Sequence, residues 1–201
     1  MAINLQKGQK INLTKGGGGL RNVMVGLGWD EAEQKRGFFA PKPQPIDCDA
    51  SVILCGANGK LLNPNNISES CVYFGNLRDS SDSIIHQGDN LTGAGEGDDE
   101  QIMVNLSRVP AYIDKMVFVV NIYDARVRKQ HFGLIRNAFI RLVDMDKSQE
   151  ICRFNLSENY DNMTGMIVGE IYRRNGEWKF NAIGQPVAEA SRLGAILKMY
   201  E

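Results

Sequence analysis

Short runs in which apolar and polar residues alternate, cut by turn residues, recur along nearly all of the 201 residues. A period of two is the signature of strands with one buried face, so the chain is constrained to antiparallel β structure before any single residue is considered. Ile3/Leu5 and Ile11/Leu13 alternate on either side of Lys7-Gly8 and suggest an opening hairpin. Val23–Leu27, Ile102/Val104/Leu106, Ala138–Val143 and Met166–Tyr172 continue the set. Met116–Tyr123 is apolar on both faces except at Asn121, as a central sandwich strand would be. Asn58-Gly59 offers a tight turn. Asn175-Gly176 supplies the positive φ of a hairpin turn leading into Trp178/Phe180/Ala182.

Two stretches escape this period. Asp124–Leu134 is charged with scattered apolar residues and reads as a short helix. Val187–Met199, after Pro186, sets Val187, Ala190, Leu193, Leu197 and Tyr200 near one face, which predicts a C-terminal amphipathic helix. Pro41, Pro43 and Pro45 favour an extended loop. The fold class is therefore mainly β: an antiparallel β-sandwich with one or two short peripheral helices, one of them C-terminal. With 43% hydrophobic residues and no repeat or linker, residues 1–201 read as a single domain around one core.

Several function classes recede on composition. The net charge is −1, and the basic clusters at Arg126–Arg136 and Arg173–Arg174 form no face-wide stripe, so nucleic acid is not an expected partner. Cys48, Cys55, Cys71 and Cys152 contain no CxxC pair and, with His86 and His131, lack zinc spacing; they read as reduced thiols in or near a core. The N-terminus has no leader pattern and no stretch of about 18 apolar residues occurs, so a soluble, cytoplasmic protein without membrane insertion is expected. Gly16–Gly19 lacks the Gly-Lys-Ser/Thr of a phosphate loop and reads as a turn between strands.

The chemistry concentrates in residues 88–100. That segment holds Asp89, Glu96, Asp98, Asp99 and Glu100, with glycines at 88, 93, 95 and 97 and no Lys or Arg. Glycines let the backbone turn its carbonyl oxygens inward, and crowded carboxylates are relieved by a bound cation, so a hard-cation site is expected. The EF-hand template fails, because starting at Asp89 its third and fifth positions fall on Leu91 and Gly93. Some other calcium geometry is required, and the loops at one end of a sandwich can surround an ion from several sides. Asp47 and Asp49 share a strand face with Ser51, opposite Cys48, Ala50, Val52 and Leu54, and Asp30 follows a strand; all three join the candidates. The carboxylates of Asp30, Asp47, Asp49, Asp89, Glu96, Asp98, Asp99 and Glu100 carry far more charge than one divalent ion offsets. Each like-charge pair about 5 Å apart repels by roughly 1 kcal/mol even in water-like surroundings. Two ions are expected. Flexible oxygen coordination favours calcium over magnesium, and zinc lacks soft ligands here.

An enzymatic alternative is a divalent-metal-dependent hydrolase using the acidic loop, with His86 or His131 as general base. A calcium-switched membrane tip is poorly served, since Leu91 is the only large apolar residue in the loop.

Taken in order, Gly28-Trp29-Asp30, Asp47-Cys48-Asp49-Ala50-Ser51, Gly88-Asp89-Asn90-Leu91-Thr92-Gly93, Gly97-Asp98-Asp99-Glu100, Asn137–Arg141 and Gly169–Arg173 resemble the TerD family of bacterial tellurium-resistance and general-stress proteins. The resemblance runs over nearly the whole chain. It implies a β-sandwich binding two calcium ions at one end, and a non-catalytic role in stress resistance beside other tellurium-resistance proteins, often membrane-associated. Carried over by motif, Asp30, Asp47, Asp49, Asp89, Asp98, Asp99 and Glu100 are the implied ligands, assisted by Asn90 and by loop positions Thr92, Gly93, Gly95, Glu96 and Gly97. Cys48 replaces a larger apolar residue common in relatives, and Ala94 and Glu96 replace an acid and a shorter acid.

Overall fold

The computed structural model describes residues 2–14, 19–32, 44–88, 97–156 and 160–201. Twelve strands are found among them: β1 (Ile3–Leu5), β2 (Lys10–Asn12), β3 (Asn22–Glu31), β4 (Cys48–Cys55), β5 (Cys71–Val72), β6 (Ile84–His86), β7 (Glu100–Asn105), β8 (Lys115–Ile122), β9 (Ile135–Asp144), β10 (Gln149–Asn155), β11 (Gly165–Arg174) and β12 (Glu177–Val187). They form two six-stranded sheets. The first runs β1-β10-β9-β3-β7-β6 and the second β2-β12-β11-β8-β4-β5. The architecture is the expected mainly β sandwich, antiparallel throughout except that β1 pairs with β10 in parallel.

That parallel pair corrects the opening hairpin. β1 and β2 do not pair with each other: β1 joins the first sheet through β10, and β2 joins the second through β12. The intervening turn, with Gly8 at φ 80°, donates its N–H to the Ala182 carbonyl and so hands the chain from one sheet to the other. Alternation fixes which residues face inward; it does not fix which neighbour a strand takes.

Between the sheets lies the main core, with Phe118, Phe180, Ile102, Ile140 and Met116 fully buried. β8 sits between β11 and β4 and is buried on both faces, as its continuous apolar run requires. The Asn58-Gly59 and Asn175-Gly176 turns adopt the positive φ angles their sequences call for.

The outer face of the second sheet carries a smaller core of its own. Ile53, Cys55, Cys71, Val117, Val119 and Ile167 are covered there by Ala190, Ile196 and Leu197. A Cβ at Gly165 would lie 2.4 Å from that of Ala190, so the glycine lets the C-terminal segment rest directly on the sheet. The C-terminal helix spans only Leu193–Leu197 and continues as a 3-10 turn to Tyr200. It is shorter than the periodicity predicts because Val187 is still paired with Gly165 in the sheet and Arg192 remains extended. The apolar positions expected on one helical face nevertheless all meet this second core. The charged stretch after β8 holds a one-turn helix (Ala125–Arg128) and a 3-10 turn at Phe132–Leu134. The proline loop and most of the early glycine run lie outside the described residues.

Candidate metal site

Antiparallel pairing brings the end of β3, the start of β4, the start of β7 and the end of β8 to one end of the sandwich. Leu27 faces Glu100 across β3 and β7, and Asp49 faces Asn121 across β4 and β8. The described candidates Asp30, Asp47, Asp49, Gly97, Asp98, Asp99 and Glu100 all belong to these termini. Asp89, Asn90, Thr92, Gly93, Gly95 and Glu96 lie outside the described residues.

The four residues Gly97–Glu100 distribute their side chains in different directions. Gly97 has φ 113°, a conformation open to glycine. Asp98 folds over the outer face of the first sheet, where its carboxylate accepts from Arg141 Nε at 2.7 Å and Nη2 at 2.9 Å. Gln101 Nε2 adds a third contact at 3.2 Å. Gly26 makes room for this, since it pairs with Arg141 on one side and Gln101 on the other, and a Cβ there would sit 2.3 Å from the Asp98 carboxylate. Asp98 holds the Arg141 guanidinium firmly charged, with its affinity for the proton raised by that hydrogen bond and, less, by Glu150.

Asp99 has a different environment. Its Oδ2 accepts from the Trp29 N–H at 2.7 Å and its own N–H donates to the Leu27 carbonyl. Burial pushes its carboxyl pKa up; the Trp29 amide opposes this, and the charges of Asp30 and Asp98 add to it. Asp30 is exposed and accepts from Asn137 Nδ2 at 2.8 Å.

Glu100 turns inward. Its carboxylate accepts the Ala50 N–H at 2.7 Å and lies 3.2 Å from His86 Nε2, which is also 3.2 Å from the Ala50 carbonyl. At this point β4 has no further strand beside it among the described residues, because β5 pairs only with Val52 and Ile53. Glu100 and His86 therefore close the β4 edge from the opposite sheet. His86 Nδ1 accepts the Gly88 N–H, which places the ring proton on Nε2, so this ring is engaged at both nitrogens. That leaves it poorly placed to act as the general base of a hydrolase. His131 is half-buried, with Nδ1 accepting the Asn162 N–H.

On β4, Cys48, Ala50, Val52 and Leu54 join the inter-sheet core, as alternation predicts, and Asp49 and Ser51 take the opposite face. Asp49 is buried and receives Asn121 Nδ2 at 3.3 Å. Asp47 lies 3.3 Å from Arg128 Nη1. The Cys48 thiol reports how these groups converge: burial raises its pKa, and so, in falling order, do the charges of Asp49, Glu100, Asp47 and Asp99. Those four carboxylates come from both sheets. Among the described residues, no three His, Cys, Asp or Glu side chains stand close enough to hold an ion by themselves.

The donor set is chemically suited to a hard cation, with oxygen throughout. The Asn121 Oδ1, buried beside Asp49 without a hydrogen-bond partner among the described residues, adds an oxygen that the carboxylate count overlooked. The polar interruption of an otherwise apolar strand was its signal in the sequence. Arg141 and Asn137 stand in one of the segments that carry the family resemblance, but nothing local ties them to Asp98 and Asp30, which are far away in the chain.

The TerD domain family model matches residues 1–200. The chain belongs to the TerD family. It is 50% identical to stress response protein SCP2 of Bacillus subtilis (strain 168), with 100% of both chains covered. It is 44% identical to tellurium resistance protein TerD of Serratia marcescens, covering 94% of this chain and 92% of that one. Among solved structures, a crystal structure of a protein of unknown function aligns with a TM-score of 0.66 at 22% identity, covering 85% and 91% of the two chains. A TerD homologue from Streptomyces coelicolor A3(2) aligns at 0.58 and 20%, covering 84% and 90%. At those identities the structures speak for the fold alone. The protein is thus a member of a tellurium-resistance and stress-response family. No helix among its described residues is long and apolar enough to cross a membrane.

Proposed function

We propose that the acidic end of this TerD sandwich binds calcium, two ions in all, and that the protein acts as a non-catalytic, calcium-dependent interaction module in the stress response. The observation that carries this reading is that strand pairing brings Asp47, Asp49, Asp99 and Glu100, from both sheets, to one end of the sandwich, where Glu100 reaches the Ala50 N–H between Asp49 and Ser51. Like charges crowded in partly buried positions cost free energy until a cation joins them. Asp47, Asp49, Asp99 and Asn121 would supply oxygens from the scaffold, and the acidic glycine-rich loop the remainder. Two bound calcium ions would offset a large part of the negative charge at this end.

The role of Asp98 within the reading is to set the loop's departure from β7, through Arg141, as much as to offer an oxygen. Partners are expected to be other stress and tellurium-resistance proteins, in the cytoplasm. The relatives' names, stress response and tellurium resistance rather than enzymes, agree with a non-catalytic role.

Calorimetric titration of chelator-stripped protein with calcium, and with magnesium as control, tests the proposal. Two calcium sites with weak magnesium binding are expected, lost when Asp98 and Asp99 are both changed to Asn. Unchanged calcium affinity in that double variant, or none in the native chain, would sink the assignment.

A further inference from the structure

Beside the acidic end, a cleft of about 790 Å³ opens among residues of β9, β10 and β11. Phe132, Tyr160 and Met166 give it apolar lining, and Arg136, Arg153 and Asp161 give it charge. A smaller recess of about 320 Å³ shares Arg153 and Asn137 with it and reaches Trp29 and Asp30.

The two strand arginines next to the cleft differ in availability. Arg141 and Arg153 are paired across β9 and β10. Arg141 is neutralised by Asp98 and by Glu150, whose Oε2 is 3.1 Å from Nη1. Arg153 meets no carboxylate among the described residues. Its Nε donates to Asn155 Oδ1 at 2.9 Å, and its guanidinium carbon lies 3.5 Å from the centre of the Phe139 ring. A guanidinium held over the face of an aromatic ring is kept in place by the ring while its terminal nitrogens can still donate. Arg136 likewise meets no carboxylate among the described residues, donating Nη1 to the carbonyls of Gly133 and Ile135 at 3.1 and 2.9 Å. Against these two cations stands Asp161, whose Oδ1 is 4.0 Å from His131 Nδ1. Among the described residues the cleft lining therefore sets two cations against one carboxylate, beside a strongly acidic neighbour.

We propose that this cleft binds a small organic phosphate, its phosphate meeting Arg153 and Arg136 and its apolar or aromatic body lying against Phe132, Tyr160 and Met166. The planar guanidinium fork matches phosphate oxygens in pairs, and two such forks match a dianion. The volume is that of a small-molecule site, far larger than a bare oxyanion fills. The inference stands apart from calcium, since neither arginine belongs to the acidic end's donor set.

The test is calorimetric titration of the full chain, in chelator, with adenosine monophosphate as probe and with adenosine and inorganic phosphate as its two halves. Adenosine monophosphate is expected to bind, and each half to bind at least about tenfold more weakly. Arg153→Gln should weaken binding by about tenfold or more, the loss expected for charge-assisted hydrogen bonds. Because Arg153 also packs on Phe139, Arg136→Gln, at an exposed position, provides a second variant with the same expected direction. Arg126→Gln, at an exposed residue paired with Glu189 outside the cleft, should change nothing. No binding of adenosine monophosphate, or equal binding by both arginine variants and the native chain, overturns the proposal. Inorganic phosphate binding as tightly as the nucleotide overturns the apolar subsite, and binding that appears only with calcium overturns a site made by arginines alone.

Discussion

Asp98 and Asp99 are neighbours with identical side chains, and the fold gives them opposite electrostatic positions. Asp98 is fully enclosed, and its carboxylate meets the two-pronged Arg141 guanidinium. Asp99 has a single backbone N–H against burial and two adjacent carboxylates, and its ionised form is disfavoured. One position has its counter-charge built into the sheet; the other has none among the described residues. In the proposed cation site the first would hold the start of β7 in place and the second would gain from the ion.

The sharpest way to break this comparison is to remove each carboxylate in chelator and measure urea unfolding. Asp98→Asn should cost about 3 kcal/mol, since it leaves a partly buried guanidinium without its fork partner. Asp99→Asn should cost little, within about 0.5 kcal/mol, or stabilise, because it removes a charge the site disfavours. Similar losses in both would erase the distinction. Adding calcium should invert the ranking for Asp99: the native chain gains about 2.7 kcal/mol per site at a hundredfold excess over the dissociation constant, and Asp99→Asn should forfeit most of one such gain.

A smaller effect sharpens the Asp98 side alone. Gly26→Ala should destabilise by about 1–3 kcal/mol, because the new Cβ meets the Asp98 carboxylate held between Arg141 and Gln101. Combined with Asp98→Ala, the two losses should add to less than their sum, as for any pair sharing one contact. Full additivity, read from the same unfolding curves, would mean that Gly26 does not exist to seat Asp98.

The smallest expected signal concerns the thiols. Burial pushes Cys55 from 9.0 up to about 11, with Lys115 partly opposing, and Cys152 up to about 12. Thiolate is the reactive form, so raising the pKa lowers reactivity below it and restores it as pH climbs. At pH 8 alkylation of Cys55 in the native chain should run about a hundredfold below that of an ordinary thiol on ionisation alone, rising about tenfold per pH unit. Rapid labelling near neutrality, followed by mass spectrometry, would show that these cysteines are open to thiol-reactive elements after all.

How much of this was legible in the sequence depended on distance along the chain. Inward and outward faces of β4, β7 and β8 follow from neighbouring residues, and so do the turns at Asn58-Gly59 and Asn175-Gly176. Pairings did not: nothing near Leu5 says that its neighbour is β10, and nothing near Asp98 says that Arg141 lies across Gly26. The acidic segment announced the kind of chemistry by composition. Its partition into a paired acid, a disfavoured acid and an edge-closing acid came from register, which single-residue patterns do not encode. The C-terminal helix was overextended because Val187 satisfies helical spacing and strand pairing alike.

The closure of the β4 edge has a further consequence for how copies of the chain can associate. A strand lacking a neighbour offers its N–H and C=O groups to any other extended chain, and this is a usual starting point for end-to-end growth of sheets. At Ala50 both groups face side chains from the opposite sheet, Glu100 and His86. An incoming strand would have to displace a buried carboxylate and an imidazole to bond there. Stacking of molecules through this stretch is thereby blocked from inside the fold, without a proline or a surface lysine on β4 itself.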